Sequence, residues 1–305
     1  MAMPSGFLGF KSKIKISTMS YSIELLQQDA DAPILFSLEG HVAVLTLNRP
    51  ATRNALSGEE MFHAFETIFE HMNQNTQVRA GVLTGAGTAF CSGGNIAEMK
   101  DKQGMFKGNP SEVADNYKNG IQRIPRAFQA LTVPMIAAVN GAAIGAGNDL
   151  ACMCDIRVAS DKAVFAESFV KVGIIPGDGG CWLLPRVIGY AHAAQMALSG
   201  DSIDAHEALR IGLVSKVVPA DALMDEALSL ARSIAKNPPQ VLRWTKQLLQ
   251  EARTSSLDQA LDRAGQLQGL AHQTADHMEA LNAFFEKRQA HFRGNKALFF
   301  YALVL

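Results

Sequence analysis

Residues 133–156 read VPMIAAVNGAAIGAGNDLACMCDI, and three patterns follow one another along this stretch. Its first part is a short apolar run, which is typical of a buried strand. Gly145 and Gly147 then predict a tight turn, and the residues after them predict a helix. The helix carries Asp149 within an otherwise apolar sequence. Because an uncompensated buried carboxylate is costly, Asp149 needs either a structural or a chemical reason to be there.

Strands and helices also alternate on both sides of this stretch. Short extended runs are predicted within residues 41–50, 80–87 and 156–169. Residues 55–75 predict an amphipathic helix, in which Ser57 is the cap and Glu60 completes a capping box. Such alternation is typical of α/β proteins with right-handed crossover connections. The predicted fold class is therefore α/β.

The last third of the chain has a different pattern. Strand signals fade after about residue 182, and the segments that follow have helical spacing, with Gly200 and Gly212 as stops. We therefore predict an α/β core over residues 20–200 and a helical region over residues 201–295. The extensions at residues 1–19 and 296–305 have no predicted role.

Composition and charge exclude several classes of function. Of the 305 residues, 48% are hydrophobic and 19% are charged, which is typical of a globular domain. The formal charge of −1 gives no electrostatic reason to expect a nucleic-acid or membrane partner. The four cysteines lack the paired spacing of a zinc site, and the histidines show no ligand spacing, so we expect no metal. Reduced, buried cysteines and a cytoplasmic location are the expectation.

Two segments share the form of a strand, a glycine turn and a helix start, namely residues 88–99 and 142–153. Glycine lets backbone N–H groups point outward, and a helix N-terminus adds partial positive charge. Two such turns that face each other would form an oxyanion hole, whereas two ordinary turns are the alternative. A dinucleotide site is not favoured, because Leu150 stands where the third glycine of that motif belongs.

Three acids near these turns are candidates for proton transfer. Asp149 lies just after one glycine turn, Asp178 lies in the glycine-rich loop GIIPGDGG, and Glu167 lies between them in sequence. Each also has a structural alternative, such as a helix-start aspartate for Asp149 or an Asx-turn for Asp178. Burial beside a substrate would raise the pKa of a carboxyl group toward neutrality, where acid–base catalysis is efficient.

Several motifs together resemble the enoyl-CoA hydratase/isomerase (crotonase) superfamily. They occur in the family's order and are LNRPATRNALS, FCSGGNIAEM, VNGAAIGAGNDLACMCDIRVAS, VGIIPGDGG and EALRIGLVSKVVP. The resemblance covers roughly residues 35–293. It implies a crotonase-type β-β-α superhelix with a helical C-terminal region, an acyl-CoA thioester as substrate, and a homotrimer or hexamer. It implies no separate cofactor, because coenzyme A is part of the substrate.

The resemblance also assigns roles to individual residues. The backbone N–H groups of Gly94 and Ala146 would hold the thioester oxygen. Alanine fits at position 146 only if its φ is negative, because the left-handed region disfavours a Cβ. The channel for coenzyme A would be lined by Arg53, Ala55, Leu56, Asn95 and Ile96.

Two departures bear on the reaction. The two glutamates of true hydratases would fall at Asp149, which keeps a carboxyl group, and at Phe169, which cannot transfer a proton. The loop pattern is closer to the phenylacetate-pathway isomerase branch, whose aspartate would fall at Gly177, one residue before Asp178. Glu167 and Phe169 are assigned to the substrate-binding surroundings.

The function that follows is enoyl-CoA hydration, with a backbone oxyanion hole and with Asp149 and Asp178 as acid–base groups. The first alternative is an enoyl- or epoxyacyl-CoA isomerase that uses Asp178 or Glu167. The second is a catalytically silent acyl-CoA-binding relative, which the aromatic residue at position 169 favours.

Overall fold

The computed structural model describes residues 23–294, so the extensions at residues 1–19 and 296–305 lie outside the described residues. The strands are β1 (Ile34–Glu39), β2 (Val42–Leu47), β3 (Ala80–Gly85), β4 (Ala89–Cys91), β5 (Met135–Val139), β6 (Ala142–Ile144), β7 (Ile156–Ser160), β8 (Val164–Ala166), β9 (Ser202–Asp204) and β10 (Lys216–Val218). The α-helices are α1 (Ile23–Gln28), α2 (Glu59–Gln74), α3 (Ile96–Lys100), α4 (Pro110–Asn119), α5 (Arg123–Ala130), α6 (Ala146–Met153), α7 (Gly180–Ser199), α8 (Ala205–Arg210), α9 (Leu223–Ala235), α10 (Pro239–Glu251), α11 (Leu257–His272) and α12 (Ala275–Phe285).

The larger sheet has six strands in the order β1-β2-β3-β5-β7-β10. Only β1 and β2 pair antiparallel, and the other neighbours are parallel. All residues of β3 and β5 are buried, because α2 packs with the core on one face of the sheet and α9 packs on the other. A parallel sheet covered on both faces accounts for the near-continuous apolar sequence of these strands.

The smaller sheet has four strands in the order β4-β6-β8-β9. The strands β4, β6 and β8 are parallel neighbours, and each follows directly after a strand of the larger sheet. This arrangement repeats a unit of two strands and a helix along the chain. Because the three strands run the same way, their carboxyl ends lie at one edge, and the segments that leave them meet there.

The structure corrects two local predictions. Helix α2 begins at Glu59 after the N-cap Gly58, with no side-chain cap, so the capping box of Ser57 and Glu60 is wrong. Glu60 instead pairs with Arg49 at 2.9 Å. Beyond residue 182, where helices alone were predicted, β9 and β10 add short strands to the two sheets. At three residues each, they are too short for a periodic signal.

The cysteines are free thiols, but not all of them are buried. Cys91, Cys152 and Cys154 are buried, and burial raises the pKa of each to about 12. Cys181 is exposed, so the prediction of buried cysteines is wrong for this residue. It lies on the first turn of α7 and faces outward. Between residues 23 and 294 no helix is long and apolar enough to cross a membrane.

Asn54 is a buried polar residue that joins the loop after β2 to the connection between β3 and β4 and to β4 itself. Its side-chain nitrogen donates to the carbonyl oxygens of Ala86 and Ala89 at 2.9 Å and of Phe90 at 3.2 Å. Its side-chain oxygen accepts from the Arg49 N–H at 2.9 Å. The loop that precedes α2 is thereby fixed against the strand that leads to the candidate site.

The Asn54→Ala variant would remove these four hydrogen bonds, two of which lie in buried surroundings. We expect a loss of about 2–3 kcal/mol in the free energy of unfolding, measured by urea denaturation. Asn282→Ala, at an exposed position of α12, is the matched control and should change stability by no more than about 0.5 kcal/mol. Equal stability of the two variants would contradict the role given to Asn54.

Candidate active site

The candidate site lies at the carboxyl ends of β4, β6 and β8. The loop after β4 carries Gly93 and Gly94, the turn after β6 carries Gly145 and Ala146, and Glu167 follows β8. The parallel pairing of these strands therefore places both glycine turns and one of the three candidate acids side by side. The sequence separates these residues, and only the order of strands in the small sheet brings them together.

The two glycine turns are in direct contact. A Cβ atom added to Gly93 would lie 3.2 Å from the backbone nitrogen of Ala146, and one added to Gly147 would overlap the Cys91 carbonyl oxygen. Gly94 donates no backbone hydrogen bond to any residue from 23 to 294. Ala146 is the first residue of α6, a position whose N–H has no acceptor within the helix. Two backbone donors are thus available, one on each of two turns that contact each other.

Ala146 does not have a positive φ angle, which is the condition under which an alanine fits at this position. The positive φ angles fall on Gly145, at 54°, and on Gly93, at 84°, whereas Ala146 is not among the residues with positive φ. The left-handed conformations of the turns are therefore taken by glycines, which accept them without a steric penalty. Alanine at position 146 adds no strain.

The three candidate acids form one buried carboxyl cluster, which consists of Asp149, Glu167 and Asp178. Their exposed fractions are 0%, 1% and 3%. Asp149 comes from α6, Glu167 from the end of β8, and Asp178 from the loop before α7. Two of its members meet at Gly180, where an added Cβ would lie 2.5 Å from both carboxyl oxygens of Asp149 and in contact with Glu167 Oε1.

The carboxyl cluster has few hydrogen-bond donors. Asn148 Nδ2 donates to Glu167 Oε2 at 3.0 Å. The other five carboxyl oxygens of the cluster are buried without a hydrogen-bond partner among the described residues. Burial is the main cause of the raised pKa values of all three groups, and it brings the pKa of Glu167 to about 7. Repulsion from Asp178 and then from Glu167 raises the pKa of Asp149 further.

Gly180 leaves the space in which the carboxyl groups meet. In the Gly180→Ala variant the methyl group would push Asp149 and Glu167 apart. Because displacements of about 1 Å cost up to about 100-fold in rate, we expect a loss of kcat of this size in a steady-state assay. Gly265→Ala is the matched control, since an added Cβ meets nothing within 4 Å there. Equal kcat values in the two variants would contradict the arrangement.

Phe169 and Gly177 occupy the positions at which the family resemblance would place the second glutamate of hydratases and the aspartate of the isomerase branch. The Phe169 ring lies against Gly145, where an added Cβ would stand 3.5 Å from the ring. A Cβ at Gly177 would lie 2.7 Å from the ring of Tyr117, so this position has no room for a larger side chain. The carboxyl group that this loop brings to the cluster therefore belongs to Asp178.

The predicted coenzyme A channel begins at the loop after β2. The Leu56 N–H donates to the Gly93 carbonyl oxygen at 2.8 Å, and the Ser92 N–H donates to the Arg53 carbonyl oxygen at 2.9 Å. This loop is therefore attached to the first glycine turn. Arg53 is exposed, whereas the side chains of Ala55 and Leu56 are buried and leave only backbone atoms for a ligand.

The other predicted channel residues, Asn95 and Ile96, lie at the start of α3. Asn95 caps this helix by accepting from the N–H groups of Ala97 and Glu98, and Ile96 is 62% exposed. Contact of these residues with coenzyme A stays a prediction. Met99, on α3, covers the glycine turn after β4, because an added Cβ at Gly94 would lie 2.6 Å from Met99 Cε.

Sequence reasoning missed Asn148 and Gly180 as parts of the site. Asn148 precedes Asp149 and holds Glu167, while Gly180 is the last glycine of GIIPGDGG. The sequence around Asp178 could have indicated Gly180, because a turn at Asp178 does not require glycine at all of positions 177, 179 and 180. The partner of Asn148 depends on the pairing of β6 with β8, which the sequence pattern does not specify.

Comparisons with known proteins agree in pointing to one family. A profile described as Enoyl-CoA hydratase/isomerase matches residues 37–295. The short-chain-enoyl-CoA hydratase of Clostridium acetobutylicum is 37% identical over 257 residues, which cover 84% of this chain and 95% of that protein. The 1,2-epoxyphenylacetyl-CoA isomerase of Escherichia coli is 37% identical over 261 residues, which cover 86% and 98%. The crystal structure of an enoyl-CoA hydratase from Bacillus anthracis aligns with a TM-score of 0.80 and 33% identity over 86% of this chain and 100% of that one.

Proposed function

Because the chain belongs to the enoyl-CoA hydratase/isomerase family, we propose that it adds water to the double bond of an enoyl-CoA thioester. The observation that carries this proposal is the contact between the two glycine turns beside the carboxyl cluster. Attack of water on the β-carbon moves negative charge onto the thioester oxygen. Preorganised donors that face this oxygen stabilise the transition state more than the ground state.

The backbone donors in this proposal are the N–H groups of Gly94 and Ala146. Both lie at turns whose conformations are fixed by glycines with positive φ. Because the donors belong to the backbone, they need no reorganisation as charge develops, and each is worth about 3–4 kcal/mol in comparable holes. The helix dipole of α6 adds partial positive charge at Ala146.

Asp149 is the acid–base group of the proposal. It lies three residues after Ala146 in α6, and therefore about one helical turn from that donor along the chain. Hydration places a hydroxyl group on the β-carbon and a proton on the α-carbon. A carboxyl group with a raised pKa can deliver that proton near neutral pH.

The test uses the purified full chain with crotonyl-CoA and with a longer trans-2-enoyl-CoA. We expect loss of the conjugated absorbance together with a product that has gained the mass of one water. Butyryl-CoA, which has no double bond, is the substrate control and should not react. Binding of all these esters without any turnover would favour the catalytically silent relative and contradict the proposal.

Isomerisation of an enoyl- or epoxyacyl-CoA is the second candidate function. The apolar ring of Phe169 against Gly145 favours it, because such a ring keeps water away from one side of the turn. The 1,2-epoxyphenylacetyl-CoA isomerase of Escherichia coli is as similar to this chain, at 37% identity, as the short-chain-enoyl-CoA hydratase of Clostridium acetobutylicum, so isomerisation stands as a candidate beside hydration. Deuterium incorporation into the acyl chain in heavy water, without a gain of water, would favour this function over hydration.

We also propose that the chain works in the cytoplasm as a homotrimer or hexamer, without a cofactor beyond the coenzyme A of its substrate. The C-terminal helices support self-association, because large apolar side chains are exposed on them. These are Leu249, Leu257, Leu261, Met278, Leu281, Phe284 and Phe285. Light scattering coupled to size-exclusion chromatography tests the assembly, and a monomer at micromolar concentration would contradict it.

A further inference from the structure

Glu167, which was predicted from the sequence to lie in the substrate-binding surroundings, is the member of the carboxyl cluster without an acid–base role in the proposed hydration. Its Oε2 atom accepts from Asn148, and its Oε1 atom faces the same small space at Gly180 as both oxygens of Asp149. At 1% exposure it is sealed from solvent. The chain thus keeps one glutamate at the site, two residues before the position that Phe169 occupies.

The cluster contains more hydrogen-bond acceptors than donors. Five buried carboxyl oxygens lack a hydrogen-bond donor within residues 23–294. No lysine, arginine or histidine in that range contributes to the pKa shifts of the three groups. Three adjacent buried carboxylates without a cation cannot all be ionised, because burial and mutual repulsion both oppose it. A proton on one carboxyl group supplies the missing donor for its neighbour.

We propose that Glu167 and Asp149 share one proton, and that Glu167 stores the proton that Asp149 exchanges with the acyl chain. This inference rests on the proposed function for its catalytic part. Glu167 acts through Asp149 and does not touch the substrate, so it is a positioning residue. It compensates for the phenylalanine at position 169.

The proton balance of hydration explains why a second carboxyl group that holds a proton is useful. The cluster takes one proton from the attacking water, whose oxygen bonds to the β-carbon, and it gives one proton to the α-carbon. The number of protons on the cluster is therefore the same before and after the reaction. A single Asp149 would have to accept a proton from the attacking water and donate one to the α-carbon, whereas a neighbour that holds the second proton lets both steps proceed.

The titratable groups that face the pair are few. The negative charge of Asp178 raises the pKa values of both carboxyl groups, and Cys152 also raises the pKa of Asp149. Tyr117 and Cys91 face Asp178, and their pKa values are raised, so both stay neutral near pH 7. Because Glu167 must be ionised to receive the proton, activity should rise as the pH increases through the pKa of about 7 that burial gives to this group.

The first test compares the pH dependence of kcat in the wild type and in Glu167→Gln, which keeps the acceptor for Asn148 but cannot ionise. We expect kcat at about pH 8 to fall about 100-fold and the limb near neutrality to disappear. Glu167→Asp, which retains a carboxyl group, should retain that limb. Glu70→Gln, on the exposed side of α2, is the matched control and should behave as the wild type. An unchanged profile in Glu167→Gln would overturn the inference.

A second test does not depend on activity. Because the pKa of Glu167 is raised from 4.5 to about 7 in the folded protein, its ionisation destabilises the fold increasingly as the pH rises through this window. Glu167→Gln should therefore raise the unfolding temperature at about pH 8 but not at about pH 4. Its infrared spectrum should also lose or shift the band of a protonated carboxyl group.

The two tests separate the possible failures. If no enoyl-CoA reacts but the stability and infrared differences appear, the proposed function fails and the shared proton stands. If enoyl-CoA is hydrated and Glu167→Gln matches the wild type in pH profile, stability and spectrum, the function stands and the shared proton is overturned.

Discussion

Replacing Asp149 by asparagine should lower kcat by about 1,000-fold, because the variant keeps the shape of the side chain but cannot carry a proton. Asp149 is fully buried and follows the second glycine turn on the first turn of α6. Its neutral replacement also removes repulsion from Asp178 and Glu167. We therefore expect the variant to fold and to be more stable than the wild type above neutral pH.

The measurement is steady-state turnover of crotonyl-CoA together with calorimetric binding of butyryl-CoA. Binding should persist in Asp149→Asn, because the backbone donors remain. Asp161→Asn, at an exposed site after β7, is the matched control and should retain wild-type kcat. Turnover of Asp149→Asn at the wild-type rate would remove this residue from the mechanism.

Replacing Ala146 by proline should lower kcat by about 100- to 1,000-fold, because it deletes one donor of the oxyanion hole. Proline is well tolerated at the first position of a helix, where its missing N–H has no acceptor within the helix. Ala146 holds this position in α6. The variant thus removes a backbone hydrogen-bond donor at modest cost to the helix.

Ala146→Gly is the matched control for this variant, since it changes the side chain and keeps the N–H group. We expect it to retain most of the wild-type kcat, and the unfolding temperatures of both variants should show that each is folded. Equal kcat values for the proline and glycine variants would show that the N–H group at position 146 does not contact the reacting oxygen.

The sequence predicted those parts of the fold that depend on local patterns. The succession of strand, glycine turn and helix around Ala146 is confirmed, because apolar runs and glycines act within a few residues. The α/β class with a crotonase-type β-β-α superhelix and a helical C-terminal region is confirmed by solved structures of similar length. The proposed boundary at residue 200 stays a prediction.

The parts that could not be predicted depend on contacts between distant segments. The capping box at Ser57 was wrong because Glu60 pairs with Arg49, a residue before the helix. The meeting of Asp149 with Glu167 requires the parallel pairing of β6 with β8, and sequence spacing does not specify that register. Asn54 likewise acts through carbonyl oxygens of another loop.

The carboxyl cluster also explains why the site conflicts with stability. Three buried acids without a cation among the described residues raise the free energy of the folded state once they ionise. For Glu167, a rise in pKa from 4.5 to about 7 corresponds to about 3 kcal/mol at high pH. Active sites often keep such groups because their chemistry needs them, and neutral replacements then stabilise the protein.

Infrared spectroscopy of a bound thioester tests the central claim most directly. The claim is that the backbone N–H groups of Gly94 and Ala146 hold the thioester oxygen beside Asp149. Crotonyl-CoA with an isotope-labelled thioester carbonyl would be bound to the slow variant Asp149→Asn, with Ala146→Pro added for comparison. We predict that binding lowers the carbonyl stretching frequency in Asp149→Asn, and lowers it less when Ala146→Pro is also present. A bound thioester whose frequency equals that of the free ester in both proteins would contradict the account.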